Sequence, residues 1–259
     1  MPDPIRLDFD GDVAVAVLDD PPLNLFRART MEQLREIRDQ VAGSDVRAFV
    51  WRAEGEIFTG GVDVELFSRV ADAETGIELA GKGVQELSCF ETLEIPSLAL
   101  VQGLCLTAGL EASLGCDMIW AAEGARFGLV ERVVGLTPFG GGVQRMAERA
   151  GPARAREFVM SGGLYDAAKL EQWGVVNRVL PAEELLEKGM KFARELASGP
   201  TVAHGATKRI VRAFLDGGVA AADATTGEIA GPLFGTEDTK NAVQSFLRDG
   251  PGKATFQGK

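Results

Sequence analysis

Gly103-Leu104-Cys105-Leu106-Thr107-Ala108-Gly109-Leu110-Glu111-Ala112-Ser113-Leu114-Gly115-Cys116-Asp117 is the stretch on which the reading of the fold turns. A strand-like run, Ser97-Leu98-Ala99-Leu100-Val101, leads into it, and Leu106 to Leu114 has the apolar, small-residue character of a buried helix. A strand that passes through small residues into a helix start presents backbone N–H groups without intrahelical partners. Such groups can hold a developing negative charge. Glu111 stands one turn further on, and an acid inside an apolar helix is either paired or functional. The combination predicts an anion-stabilising site with a proton-handling carboxylate beside it.

Outward from this stretch, strands and helices alternate. Ile5 to Leu18 reads as a hairpin turning at Gly11-Asp12. Thr30 is expected to cap a helix running to about Ala42, with Met31, Leu34, Ile37 and Val41 on one face. Ala48 to Arg52 is a strand, and it leads to Phe58-Thr59-Gly60-Gly61-Val62-Asp63. Residues 65–83 read as a short helix and then a loop, with helical periodicity returning from Gly83 to Thr92. Met118 to Ala122 and Ala125 to Leu129 are extended. A glycine-rich loop from Gly135 to Gly142 precedes a helix at 143–150. Beyond Gly151 the pattern is helical, in segments near 152–161, 166–173, 182–197, 201–215, 219–229 and 236–247, broken by a strand-like Val175 to Leu180. Alternation followed by a helical tail predicts an α/β core.

Composition narrows the chemistry. The 259 residues are 46% hydrophobic and 25% charged, enough for a sizeable core and an ordinary surface. The net charge of −11 disfavours nucleic acid or an anionic membrane as partner. Cys89, Cys105 and Cys116 form no C-x-x-C pair and fit buried, reduced thiols in a cytoplasmic protein. No apolar run reaches about 18 residues, so no membrane span is expected, and the polar N-terminus has no signal-peptide core. The one histidine, His204, lies in the helical tail and leaves no material for a Ser-His-Asp triad or a His-rich metal site. No metal is expected. Gly140-Gly141-Gly142 does not complete a dinucleotide fingerprint, and Gly250 to Thr255 lacks phosphate-loop spacing.

Taken singly, two further segments have plain readings. Gly60-Gly61 is a tight turn or a place of close ligand approach. Glu131, in Phe127-Gly128-Leu129-Val130-Glu131-Arg132, is a surface ion pair with Arg132 or a functional acid. Taken together, the segments resemble the enoyl-CoA hydratase/isomerase (crotonase) superfamily. Residues 58–63 resemble its first oxyanion segment, and Gly103 to Asp117 resembles its second, G-x-A-x-G-G-G-x-E-x-x-x-x-C-D. Phe127 to Arg145 resembles the F-G-x-P-E…G…P-x-x-G-G-x-Q-R segment, and the tail from Asp166 to Leu247 is also similar.

The resemblance implies an α/β, crotonase-like spiral of ββα units. Residues 1–200 would form the core, and 201–259 a C-terminal helical trimerisation region. It implies an acyl-CoA thioester substrate, no separate cofactor, and a homotrimer or a hexamer made as a dimer of trimers. Main-chain N–H groups of Val62 and Ala108 would be the oxyanion donors, each contributing about 3 kcal/mol. Glu111 would activate water, and Glu131 would protonate C2 in a syn addition across C2=C3. Val62, Asp63 and Val64 would meet the CoA, with Arg27 near its phosphates, and Phe139 would crowd the water or shape the acyl pocket. The chain departs from the pattern at Thr107 and Ala108 (Gly-Gly), Val130 (Pro) and Phe139 (Gly). The expected activity is hydration of trans-2-enoyl-CoA. The alternatives are an isomerase moving a C3=C4 bond, with Glu131 as shuttle, and a non-catalytic binding protein on the same fold. A glycosidase with paired carboxylates would leave the oxyanion segments without purpose.

Overall fold

The computed structural model describes residues 3–259. The strands are β1 (Ile5–Asp10), β2 (Val13–Leu18), β3 (Ala48–Ala53), β4 (Ser97–Val101), β5 (Leu104–Leu106), β6 (Met118–Ala122), β7 (Arg126–Gly128), β8 (Tyr165–Asp166) and β9 (Arg178–Leu180). The helices of the first half are α1 (Ala28–Ala42), α2 (Glu65–Ser68), α3 (Ala73–Leu87), α4 (Thr107–Leu114) and α5 (Gly142–Ala150). Those of the second are α6 (Pro152–Ser161), α7 (Ala167–Gln172), α8 (Ala182–Ala197), α9 (Thr201–Ala230) and α10 (Glu237–Asp249).

One sheet runs β1-β2-β3-β4-β6-β9, antiparallel only at the β1/β2 hairpin; the other runs β5-β7-β8. The continuous apolar run of β2 follows from its place inside the parallel sheet, covered on both faces. Ala14, Ala16 and Leu18 enter the core shared with α1, α3 and α4, while Val13, Val15 and Val17 face Leu185, Ala193 and Ala197 of α8. Gly189 lets α8 lie flush on the sheet, because a Cβ there would come within 2.5 Å of Leu100.

Several sequence expectations are corrected. Helix α1 starts at Ala28, two residues before Thr30, and Thr30 instead reaches back to accept the Arg27 N–H at 3.2 Å. The loop expected before Gly83 is helical: α3 spans fifteen residues from an Asp72 cap, whose carboxylate accepts the Thr75 N–H at 2.9 Å. Acids and glycines there suggested a loop, but capping and burial of Leu87 outweigh their low propensity. The periodicity expected to Thr92 breaks at Ser88, after which Cys89–Thr92 is a 3₁₀ turn. Only Arg178–Leu180 of the 175–180 run pairs as a strand. The two helices expected over 201–229 are one element interrupted at Gly218, whose φ of 74° and ψ of −173° are not helical. The C-terminal helices are tied to the rest by Arg47, which donates to Thr201 and to the Gly199 and Phe256 carbonyls, and by the Lys208–Asp117 ion pair.

Helix α4 is held so closely that one methyl group decides its position. A Cβ on Gly109 would sit 2.1 Å from Thr59 Cγ2 and 3.3 Å from Phe26. Thr59 cannot yield easily: its N–H donates to Leu104 O, its hydroxyl donates to Asn24 O, and that hydroxyl oxygen accepts the Gly61 N–H. Alanine would gain about 1 kcal/mol of helix propensity, which overpacking of about 1–3 kcal/mol outweighs. Gly109→Ala is therefore expected to lower the urea midpoint of unfolding; an unchanged or higher midpoint would show that α4 can slide.

Candidate active site

Three backbone segments converge at the start of α4. Phe58-Thr59-Gly60 runs beside β5 as a short parallel bridge, with Thr59 N–H donating to Leu104 O at 2.8 Å and Leu106 N–H to Thr59 O at 3.2 Å. Val62 in turn bridges to Phe26, with Phe26 N–H on Gly61 O at 2.8 Å and Asp63 N–H on Phe26 O at 3.0 Å. The chain turns between these bridges at Gly61, where φ is +99° and a Cβ would meet Thr107 Oγ1 at 2.3 Å. Val62 and Ala108, 46 positions apart in sequence, are thereby brought to one place.

Their N–H groups differ. The Ala108 N–H is the second of α4 and donates to no described residue, as expected in a first helical turn. The Val62 N–H donates to Thr107 Oγ1 at 3.0 Å. Thr107 itself sits at φ +44°, a left-handed conformation uncommon for a β-branched residue.

Glu111 is buried on α4, only 3% exposed. Its Oε1 accepts two backbone N–H groups, from Gly140 at 2.8 Å and Gly142 at 2.9 Å. The glycine-rich loop that fits no nucleotide fingerprint is thus a cradle for a carboxylate. The glycines are required by proximity: a Cβ on Gly140 would approach Glu111 Oε2 to 2.7 Å, and one on Gly142 would approach Glu111 Cγ to 2.9 Å. Burial raises the Glu111 pKa above the usual carboxylate range, opposed by the two N–H groups and the charge of Arg145. Arg145 is held by Glu91 and by Gly141 O.

Glu131 opens a 3₁₀ turn just beyond β7 and is 7% exposed. The ion pair with Arg132 does not form; Arg132 turns away to donate to Ser161 O. Glu131 Oε2 is buried without a hydrogen-bond partner. Burial pushes the carboxyl up to about 8, and the nearby Glu111 charge adds to the shift. Its surroundings thus favour the protonated form of Glu131, beside a second carboxyl group cradled by N–H groups.

The remaining residues singled out in the sequence surround this centre. Asp63 is ion-paired with Arg27 at 3.1 Å and accepts the Glu65 N–H at 3.1 Å; Val64 is exposed at the start of α2. Arg27 also pairs with Asp20, so its charge is shared between two carboxylates. The Phe139 ring packs edge-to-face on Phe67, with centroids 6.0 Å apart, and over Gly83. It lies against α2 and α3, forming a wall. Sequence reasoning missed the Gly140/Gly142 cradle and the roles of Thr107 and Arg145. The signal was the glycine spacing itself, which serves Glu111 across 29 residues.

The chain that builds this site matches a known family along nearly its whole length. A family model described as enoyl-CoA hydratase/isomerase matches residues 8–258, and the chain belongs to that family, with the crotonase fold. The chain is 29% identical over 246 residues, 94% of each sequence, to the short-chain-enoyl-CoA hydratase of Clostridium acetobutylicum. It is 32% identical over 216 residues to the carnitinyl-CoA dehydratase of Proteus mirabilis, covering 81% of this chain and 80% of that one. The crystal structure of an enoyl-CoA hydratase subunit I from Geobacillus kaustophilus superposes with a TM-score of 0.92 at 29% identity, covering 99% of this chain and 98% of the other. Among the described residues, no helix is long and apolar enough to cross a membrane.

Proposed function

We propose that the protein is an enoyl-CoA hydratase, adding water across the C2=C3 bond of a trans-2-enoyl-CoA thioester. The observation that carries this reading is a pair of buried acids in different settings: Glu131 with Oε2 unpartnered, and Glu111 oriented through Oε1 by two backbone N–H groups. The names of the relatives support hydration as the reaction type.

In the proposed mechanism the thioester oxygen lies at the start of α4, on the Ala108 N–H and beside the Val62 N–H that Thr107 Oγ1 accepts, where the charge of an enolate develops. Glu111 Oε2 accepts one proton of a water as its oxygen bonds to C3. The C2=C3 electron pair moves toward C1 and the thioester oxygen. Glu131 then delivers its proton to C2 and becomes a carboxylate. The proton taken by Glu111 returns to Glu131 through solvent, closing the cycle with one water consumed. Backbone of Val62, Asp63 and Val64 would meet the CoA adenine and Arg27 its phosphates, while the Phe139 wall would bound the acyl chain. The exposed apolar side chains of α9 and α10, among them Phe214, Val219, Phe246 and Leu247, are proposed to meet other copies in a trimer or a dimer of trimers.

The test is a panel of trans-2-enoyl-CoA and 3-enoyl-CoA thioesters with product identification. Loss of the conjugated-enoyl absorbance with formation of a 3-hydroxyacyl-CoA is expected. Appearance of that band from a 3-enoyl-CoA, without hydration, would make the enzyme an isomerase instead.

A further inference from the structure

Thr107 stands where the pattern that its segment resembles has glycine, and this changes the oxyanion site. The residue is 8% exposed, and its side chain fills the space left by the missing Cβ of Gly61 and accepts the Val62 N–H at 3.0 Å. A hydroxyl carries one proton as well as its lone pairs, and the Thr107 proton has no acceptor among the described residues. The next residue in the chain is Ala108, whose N–H is also unpartnered. Two unused donors on consecutive residues therefore meet at the first turn of α4. The left-handed backbone of Thr107, at φ +44°, is tolerated where glycine would be free of cost.

We propose that Thr107 is itself an oxyanion donor: its hydroxyl accepts the Val62 N–H and donates to the thioester oxygen, beside the Ala108 N–H. This rests on the reading of the site as a thioester enolate site and refines it. Val62 then acts at one remove. Its N–H polarises the hydroxyl, and hydrogen bonds in such a chain strengthen one another. No proton changes owner; the hydroxyl keeps its hydrogen throughout, so the residue stabilises charge without taking part in the proton transfers of Glu111 and Glu131. A hydroxyl that merely filled the hole would have the opposite effect, since it would compete with the substrate oxygen for the Val62 N–H.

The experiment compares wild type with Thr107→Ser, Thr107→Ala and Thr107→Val, using but-2-enoyl-CoA. Loss of one oxyanion donor lowers kcat about 10²–10³-fold. That loss is expected in Thr107→Ala and Thr107→Val with KM changed only a few-fold, while Thr107→Ser stays within a few-fold of wild type. A second readout is the absorption band of the bound enoyl thioester in a Glu111→Gln background, where the ligand persists. Polarisation of the carbonyl moves the band to longer wavelength. The shift is expected to survive with serine at 107 and to shrink with alanine or valine. Thermal melts establish folding, and the serine–valine pair makes the same comparison should the alanine variant not fold. A Thr107→Ala enzyme as fast as wild type or faster, or an undiminished band shift, overturns the proposal while leaving hydration standing. A wild-type protein that binds no enoyl-CoA overturns both.

Discussion

Glu111→Gln is expected to lower kcat for hydration about 10³-fold, within the range for loss of a positioned acid–base group, with acyl-CoA affinity changed only a few-fold. The prediction is sharp because the substitution removes basicity and little else. The Gly140 and Gly142 N–H groups donate to Oε1 alone, and the amide oxygen of glutamine can accept both. The amide nitrogen then occupies the place of Oε2 and cannot take a proton from water. A steady-state assay paired with titration of a saturated acyl-CoA separates the two effects. Hydration surviving within about 10-fold would remove Glu111 from the role of base.

Glu131→Gln is expected to cost a similar factor, and its signature lies in the pH dependence. The carboxyl in the folded protein is pushed up to about 8 from an ordinary value of 4.5. If protonated Glu131 is the form that delivers a proton to C2, wild-type kcat/KM falls as pH rises above about 8. The acidic side follows ionisation of Glu111, and the two limbs report the coupled pair. The residual activity of Glu131→Gln should lack the basic limb. Stability moves the same way. Between pH 4.5 and about 8 the folded protein keeps a proton that the unfolded chain has released. Its contribution to stability is complete below pH 4.5, declines as pH rises, and is gone once pH passes about 8. Glutamine cannot ionise, so Glu131→Gln should gain in stability relative to wild type from pH 5 to pH 8, by on the order of a few kcal/mol at most. A difference in stability between wild type and variant that stays constant from pH 5 to pH 8 would place the Glu131 pKa in the ordinary range.

The α/β architecture was legible because its signals are local. Val13 to Leu18 and Ala48 to Arg52 are apolar runs of strand length, and Met31, Leu34, Ile37 and Val41 mark one helix face. Residues 65–92 were misjudged where propensity and tertiary context disagree: Gly76, Gly81 and Gly83 weaken a helix, yet Asp72 caps it and Phe139 packs over Gly83. The site residues were located through segment resemblance, since spacing alone could not place Val62 beside Ala108. Their chemistry was less visible. Burial of Glu131 against the pull of Arg132 depends on Ser161, 29 residues away, capturing the guanidinium. The Gly140/Gly142 cradle pairs a loop with a helix, and the Thr107 hydroxyl meets an N–H 45 residues distant. Each is a long-range contact that no periodicity encodes.

The cradle around Glu111 has a consequence for the product. With Oε1 fixed by two backbone donors, Oε2 is the oxygen free to carry water in the proposed mechanism, and α4 fixes where it stands. The hydroxyl group can then reach C3 from a single face. Product 3-hydroxyacyl-CoA formed on this enzyme should be one enantiomer, its handedness set by two glycine amides that touch neither substrate nor water.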